Sequence, residues 1–185
     1  MADAITLLRD DHRTVEKLFK SFEKAGENAA VTKKRLVKSM IEELSVHAAI
    51  EEQVFYPAVR AEVSGTNDEV LEALEEHHIV KWELSELDGL DPADERFGAK
   101  VTVLIENVRH HVREEEGQLF PAVRAALGRT RLAELGADLE AIRRVAPTKP
   151  HPRSPQEPPA NLVVGAVAGM VDQATETVKR VARRA

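Results

Sequence analysis

Apolar residues in the first 146 positions recur at steps of three and four, a spacing that predicts amphipathic helices rather than strands. The pattern predicts helices over about 4–25, 31–62, 67–87 and 93–127, and a shorter fifth helix over about 130–145. The breaks between the first four helices are short and contain glycine, asparagine or aspartate. Four helices with short connections are typical of an up-down-up-down bundle, so we predict an all-α fold.

Each of the four long helices carries an apolar stripe that includes a histidine, and two of the stripes also include a glutamate. The predicted inward positions are Ile5, Leu8, His12, Val15, Leu18, Phe19 and Phe22; Leu36, Met40, Leu44, His47, Glu51, Val54 and Phe55; Val70, Leu74, His77, Val80 and Leu84; and Phe97, Val101, Leu104, Val108, His111 and Glu115. Pro57 and Pro121 lie inside the second and fourth helices, where proline is expected to kink or end a helix.

One motif occurs twice. The residues from His47 to Ala61 reappear, with substitutions, as those from His111 to Ala125, and each copy places a glutamate four residues after the histidine. A spacing of four puts imidazole and carboxylate on the same helix face. The segment around His12 also resembles the segment around His77, which lies 65 residues later. The order of these motifs predicts two helical hairpins related by a pseudo-two-fold axis.

The repeated motifs define a candidate metal site. The candidate ligands are His12, His47, Glu51, His77, His111 and Glu115. Any one of these side chains alone is more often a hydrogen-bonded core residue or a solvated pair. All six lie on predicted apolar faces, and burying them without a partner would be costly. A pair of metal ions would neutralise the carboxylates and use the lone pairs of the imidazoles, so we predict a metal centre in the bundle core.

Neighbouring side chains are given different roles. His78 and His110 adjoin two of the candidate ligands, but they fall off the apolar stripes, and we expect them at the surface or beside the ligands. Glu52 and Glu116 point about 100° away from the adjacent candidate carboxylates. We expect both to be solvated or to accept hydrogen bonds from imidazole N–H groups.

The chain resembles the hemerythrin-like family, also called the HHE cation-binding domain, over about residues 5–124. The resemblance rests on Asp11-His12, on His47-x3-Glu51 with Pro57, on Glu76-His77, and on His111-x3-Glu115 with Phe120-Pro121. It implies a four-helix bundle around two non-haem iron ions joined by an oxo or hydroxo bridge. By the same resemblance, Glu51 and Glu115 bridge the irons, and the four histidines are terminal ligands.

The chain departs from the oxygen-carrying hemerythrins, which have a further histidine one turn from the equivalent of His77. Here the positions one turn before and after are Ala73 and Lys81. One more coordination position would therefore be open. Tyr56 could fill it as a phenolate if the helix distorts beside Pro57, and the alternative is a core tyrosine with a hydrogen-bonded hydroxyl.

Three functions follow from such a site. The first is a binding module that binds or senses O2, NO or peroxide, or that buffers iron. The second is a di-iron enzyme that decomposes peroxide in the manner of a catalase or acts as an oxidase. In the third, the bundle is a scaffold and the C-terminal segment is the functional part. Zinc or manganese also suit these ligands.

Composition and the C-terminal region add further expectations. A net charge of −6 argues against nucleic acid as a partner, and the absence of cysteine excludes thiolate metal sites. No signal peptide is evident, so we expect a cytoplasmic protein. We predict a bundle over 1–146, a proline-rich linker over 147–160 and an apolar, then basic, segment over 161–185. That segment would dock on the bundle or another subunit, contact a membrane surface through 162–185, or remain disordered.

Replacing either candidate bridge tests the metal hypothesis. We expect Glu51→Ala and Glu115→Ala each to lose iron and to lower the thermal unfolding temperature, because the remaining buried ligands are left without a compensating charge. Metal analysis and thermal unfolding of the natively expressed variants provide the measurements. Two irons per chain retained in both variants would show that the bridges are assigned wrongly.

Overall fold

The computed structural model describes residues 2–26, 29–154 and 172. Within these ranges the chain is helical and contains no strand. The helices are α1 (Ala4–Lys24), α2 (Ala30–Ile50), α3 (Tyr56–Glu62), α4 (Asn67–Leu87), α5 (Phe97–Glu114), α6 (Phe120–Ala126) and α7 (Arg129–Arg143). One π-helical turn (Glu51–Phe55) joins α2 to α3, and a second (Glu115–Leu119) joins α5 to α6. The predicted all-α class and helical bundle are confirmed.

The bundle is built from two hairpins. Helix α1 packs against α2, α4 packs against α5, and α2 also contacts α4. Helix α7 lies outside this arrangement and covers α1, α2 and the first π-helical turn. Asp3 fixes the start of α1 because its carboxylate accepts a hydrogen bond of 2.8 Å from the backbone N–H of Thr6.

The apolar interior is divided into two clusters. One surrounds Phe55, Tyr56 and Phe120, and also includes the buried leucines of α7. The other surrounds Phe19 and Phe97 near the opposite end of the bundle. All six candidate ligands are buried, and each candidate histidine lies in sequence between residues of one cluster and residues of the other, as His12 does between Leu8 and Val15. The polar side chains therefore form a layer between two apolar layers.

The π-helical turns lie where the sequence predicted a disturbance. In each turn one backbone N–H donates to the carbonyl five residues earlier, from Tyr56 to Glu51 and from Phe120 to Glu115. Pro57 and Pro121 follow immediately. Proline has no N–H to donate and its ring collides with the carbonyl four residues before it, so the widened turn accommodates the ring without breaking the helix.

Two predicted helix starts differ in detail. Helix α5 begins at Phe97 rather than near Ala93, because aspartate side chains hold the preceding segment in turns. Asp91 accepts from the N–H of Ala93 at 2.9 Å, and Asp94 accepts from the N–H of Arg96 at 2.8 Å. Helix α4 begins at Asn67 as predicted, and the hydroxyl of Thr66 before it donates to the carbonyl of Val63 rather than capping the helix.

The region after α7 is described only in part. Lys149 forms an ion pair with Asp88, and the guanidinium of Arg153 lies 5.9 Å from the ring centre of Trp82. Residues 155–160 of the predicted linker, and all of the predicted apolar segment except Asp172, lie outside the described residues. None of the helices in the described part combines the length and apolar character needed to cross a bilayer.

Gly136 sets how closely α7 approaches the N-terminus. A Cβ atom at this position would lie 2.5 Å from the carbonyl oxygen of Ala2. We expect Gly136→Ala to displace α7 and to lower the free energy of unfolding by about 1–3 kcal/mol. Gly98→Ala is the control, because nothing lies within 4 Å of its added Cβ and alanine favours a helix. Chemical denaturation provides the measurement, and equal stability of the two variants would contradict the close approach.

Candidate metal centre

The structure brings all six predicted side chains together at one depth. The Nε2 atoms of His12 and His47 are 3.3 Å apart, and those of His77 and His111 are 3.2 Å apart. Every one of these imidazoles is at most 6% exposed. The four histidines thus form two facing pairs, one from α1 and α2 and the other from α4 and α5, so that each bundle helix supplies one histidine.

The two glutamates link the histidine pairs. Glu51 Oε2 lies 3.1 Å from His47 Nε2 and 3.4 Å from His77 Nε2. Glu115 Oε2 lies 3.3 Å from His12 Nε2 and 3.4 Å from His111 Nε2. Each carboxylate therefore contacts one histidine of each pair, as a ligand shared by two metal ions would.

The outer nitrogen of every histidine faces a carboxylate. The Nδ1–carboxylate distances are 2.9 Å for His12 and Glu116, 3.3 Å for His47 and Asp11, 3.1 Å for His77 and Glu52, and 2.7 Å for His111 and Glu76. These contacts follow the pseudo-two-fold axis, because Asp11 matches Glu76 and Glu52 matches Glu116. The expectation that Glu52 and Glu116 partner imidazoles agrees with this geometry.

These outer contacts decide which nitrogen faces inward without a proton. An ionised carboxylate only accepts hydrogen bonds, so each Nδ1 carries the hydrogen and each neutral Nε2 presents a lone pair. Two lone pairs 3.2–3.3 Å apart repel unless a cation lies beside them. Two nitrogens bound at right angles to one metal, each about 2.1 Å away, would be separated by about 3.0 Å. The residues present therefore fit a metal ion at each pair.

The pKa values show how the site holds charge without metal. Burial lowers the pKa of His47 to about 4, although Asp11 opposes the change. Burial also lowers the pKa of His77. For His111 burial acts downward too, but the carboxylates of Glu115 and Glu76 outweigh it and raise the pKa. The surrounding carboxylates therefore favour the protonated form of His111.

The two glutamates are not equivalent without metal. Burial, with Glu115 nearby, raises the pKa of Glu51 well above its usual range. For Glu115 burial acts upward, but His111 and His12 outweigh it and lower the pKa. Glu51 Oε1 and Glu115 Oε2 make no hydrogen bond to any of the described residues. Buried carboxylate oxygens without a hydrogen-bonding donor are suitable ligands for a cation.

Tyr56 breaks the symmetry of the centre. Its hydroxyl donates to Glu115 Oε1 at 2.9 Å and lies 3.3 Å from His77 Nε2. Burial and the nearby Glu115 raise its pKa, so the phenol keeps its proton and acts as a donor. The equivalent residue of the other half is Phe120, whose ring stacks on His12. The two halves of the site thus have different surroundings.

Two basic residues that the sequence analysis did not assign to the site support its outer carboxylates. Lys81, only 9% exposed, places its Nζ 2.6 Å from the Glu52 carboxylate. Arg143 of α7 donates to Asp11 at 2.5 Å. Burial would raise the pKa of Asp11, but the hydrogen bonds from His47 and Arg143 lower it. In the sequence, the only indication that Lys81 lies near the site is its position one turn after His77.

The adjacent histidines stay outside the centre. His78 accepts a hydrogen bond from the indole of Trp82 on the outer side of α4. His110 is exposed and lies 3.3 Å from Glu114. Both placements agree with the expectation that these histidines lie at the surface or beside the ligands.

A small apolar chamber adjoins the histidines. Its volume is about 20 Å³, and its walls are the four imidazoles together with Val15, Leu44, Ala48, Val80, Val108 and Val112. An open groove of about 750 Å³ lies outside it between α1 and α5. His12, Val15, Val108 and Val112 line both spaces. The chamber and the groove therefore share a wall made of His12 and three valines.

The chain is similar to known proteins over most of its length. It is 25% identical over 171 residues to an uncharacterised hemerythrin-like protein of Schizosaccharomyces pombe, covering 92% of this chain and 83% of that protein. It is 28% identical over 137 residues to a DNA nickase of Nostoc, covering 74% of this chain and 38% of the nickase.

A solved structure shows the same fold. The crystal structure of a hemerythrin HHE cation binding domain-containing protein from Mycobacterium kansasii matches with a TM-score of 0.67 and 24% identity, covering 78% of this chain and 86% of that one. The family description Hemerythrin HHE cation binding domain matches residues 3–123, which include all six candidate ligands. With its buried histidine and glutamate clusters, the chain belongs to the hemerythrin HHE cation-binding domain family.

Proposed function

We propose that this protein holds two iron ions and binds a small diatomic ligand, O2 or NO, beside them. In this proposal His12 and His47 hold one ion, His77 and His111 hold the other, and Glu51 and Glu115 bridge the two. Mixed nitrogen and oxygen ligands suit iron. When bound, the metal would supply the redox chemistry, while the protein supplies geometry and a dry cavity.

The apolar chamber carries the proposal. A volume of about 20 Å³ has room for a molecule of the size of water. Apart from the imidazoles, its walls are aliphatic, which favours a small neutral molecule over a hydrated ion. The chamber touches both histidine pairs, so a molecule inside it would lie next to either metal.

The same chamber favours ligand binding over peroxide chemistry. Cleavage of an O–O bond is helped by a group that donates a proton to the leaving oxygen. Among the described residues, the chamber walls carry no acid, and each imidazole Nδ1 faces an outer carboxylate. The hydroxyl of Tyr56 is directed at Glu115, and Tyr56 is not part of the walls. Reversible binding, sensing or buffering therefore fits this chain better than turnover.

Metal loading should displace protons in a pH-dependent way. The raised pKa values of Glu51 and His111 mean that both groups hold a proton below those values in the metal-free protein. We expect roughly one to two protons to be released for each chain loaded. The number should fall as pH rises, because above the raised pKa values no proton is left to displace. Calorimetry in buffers of different protonation enthalpy measures this number, and no release at any pH would contradict the charge assignment.

Filling the chamber tests the proposed ligand site. Ala48 is 6% exposed and lines the chamber. We expect Ala48→Leu to keep two irons but to weaken NO binding by the reduced protein at least tenfold, or about 1.4 kcal/mol. Metal analysis and optical titration with NO are the two measurements. Ala99→Leu, at an exposed position of α5, is the matched control and should bind NO as the unmodified protein does.

A peroxide assay and the NO titration distinguish the alternatives. Sustained peroxide turnover by the iron-loaded protein would favour the enzyme hypothesis. Unchanged NO affinity in an iron-loaded Ala48→Leu protein would show that the ligand does not occupy the chamber.

A further inference from the structure

A second cavity reaches the centre from another side. This cleft, with a volume of about 50 Å³, lies between α4 and α5 and has His111 and Glu115 at its inner end. Four further glutamates line it: Glu69, Glu72, Glu76 and Glu114. This cleft therefore concentrates negative charge beside two of the candidate ligands.

His110 lies next to two of the residues that line this cleft, Glu76 and Glu114, and the three side chains could bind a cation together. Nε2 of the exposed His110 lies 3.6 Å from Glu76 Oε1 and 3.3 Å from Glu114 Oε1. Donor atoms of all three residues lie within 4.8 Å of one another. The other oxygen of Glu76 is occupied by Nδ1 of His111 at 2.7 Å. Glu76 therefore connects this outer group to the buried centre.

The inner end of the cleft is also prepared for a cation. Glu115 lines the cleft, is 2% exposed, and its Oε2 makes no hydrogen bond to any residue in the described ranges. Leaving such an oxygen buried without a donor is costly. A positive ion arriving through the cleft would meet this oxygen and the imidazole of His111 together.

The pseudo-two-fold axis shows that the cleft is specific to one half of the protein. The equivalents of Glu69, Glu72, His110 and Glu114 in the other half are Ala4, Leu7, Val46 and Ile50. Helix α7 packs on the two helices that carry these four apolar residues, α1 and α2. The same face is thus apolar and covered in one half, and acidic and open in the other.

We propose that Glu76, His110 and Glu114 form a surface site for a divalent transition-metal ion, from which the ion passes through the cleft to His111 and Glu115. The inference rests on the proposed two-metal centre. Two carboxylates and one imidazole suit Fe²⁺, Mn²⁺ or Zn²⁺, and the remaining positions would be filled by water. Glu69 and Glu72 raise the local concentration of cations at the mouth.

The rate of metal uptake tests the route. The metal-free full-length protein is mixed with Fe²⁺ without oxygen, and loading is followed by stopped-flow absorbance. We expect Glu72→Gln/Glu114→Gln to load about tenfold more slowly while still reaching two irons, and the difference to shrink at high salt. Asp138→Asn/Glu140→Gln removes the same charge from α7 and is the matched control. Uptake by the cleft variant at the control rate would overturn the proposal.

The surface site is tested separately from the buried centre. In protein whose centre is already filled with zinc, we expect one further Mn²⁺ ion to bind weakly, detected by electron paramagnetic resonance, and His110→Ala to abolish this binding. Binding of Mn²⁺ that is unchanged in His110→Ala would refute the site. If the proposed two-iron centre itself is wrong, the result differs, because the unmodified protein would then take up fewer than two irons at any rate of loading.

Discussion

The hydrogen bond between each outer carboxylate and an imidazole Nδ1 is the contact on which the centre depends. It turns four Nε2 lone pairs toward one another in a layer that is almost free of solvent. Two glutamates add negative charge to the same layer. Positive charge stabilises such a layer, and the raised pKa values of Glu51 and His111 mean that both groups favour binding a proton there. Metal ions at the same places would replace those protons.

Two of the bundle helices, α2 and α5, are each followed by a locally distorted turn at the centre. The π-helical turns begin at Glu51 and Glu115, so the two proposed bridging residues lie at the points where the helix widens. The prolines that follow prevent a return to regular hydrogen bonding inside the turn. The apolar clusters above and below hold the turns in place and exclude water. The pseudo-two-fold axis relates the two halves, yet Tyr56 and Phe120 give the metal positions different neighbours.

The sequence predicted the parts of this arrangement that follow from helical spacing. The four-residue step from His47 to Glu51, the matching stripes and the prolines were enough to predict the bundle and all six converging side chains. Contacts across the bundle were less accessible, because spacing along one helix does not show which helix faces it. For that reason the pairing of Asp11 with His47, the support from Arg143 and the burial of Lys81 emerged only from the structure.

The apolar chamber and the acidic cleft both reach the centre, but they suit different kinds of molecule. The chamber and the outer groove share His12 and three valines, and a hydrated cation that crossed this mainly apolar wall would lose much of its water. A neutral diatomic molecule has no such cost. The acidic cleft presents the reverse case, since its carboxylates can replace water around a cation. Because the first opening lies between α1 and α5 and the second between α4 and α5, the two proposals together would place ligand exchange and metal loading at different faces.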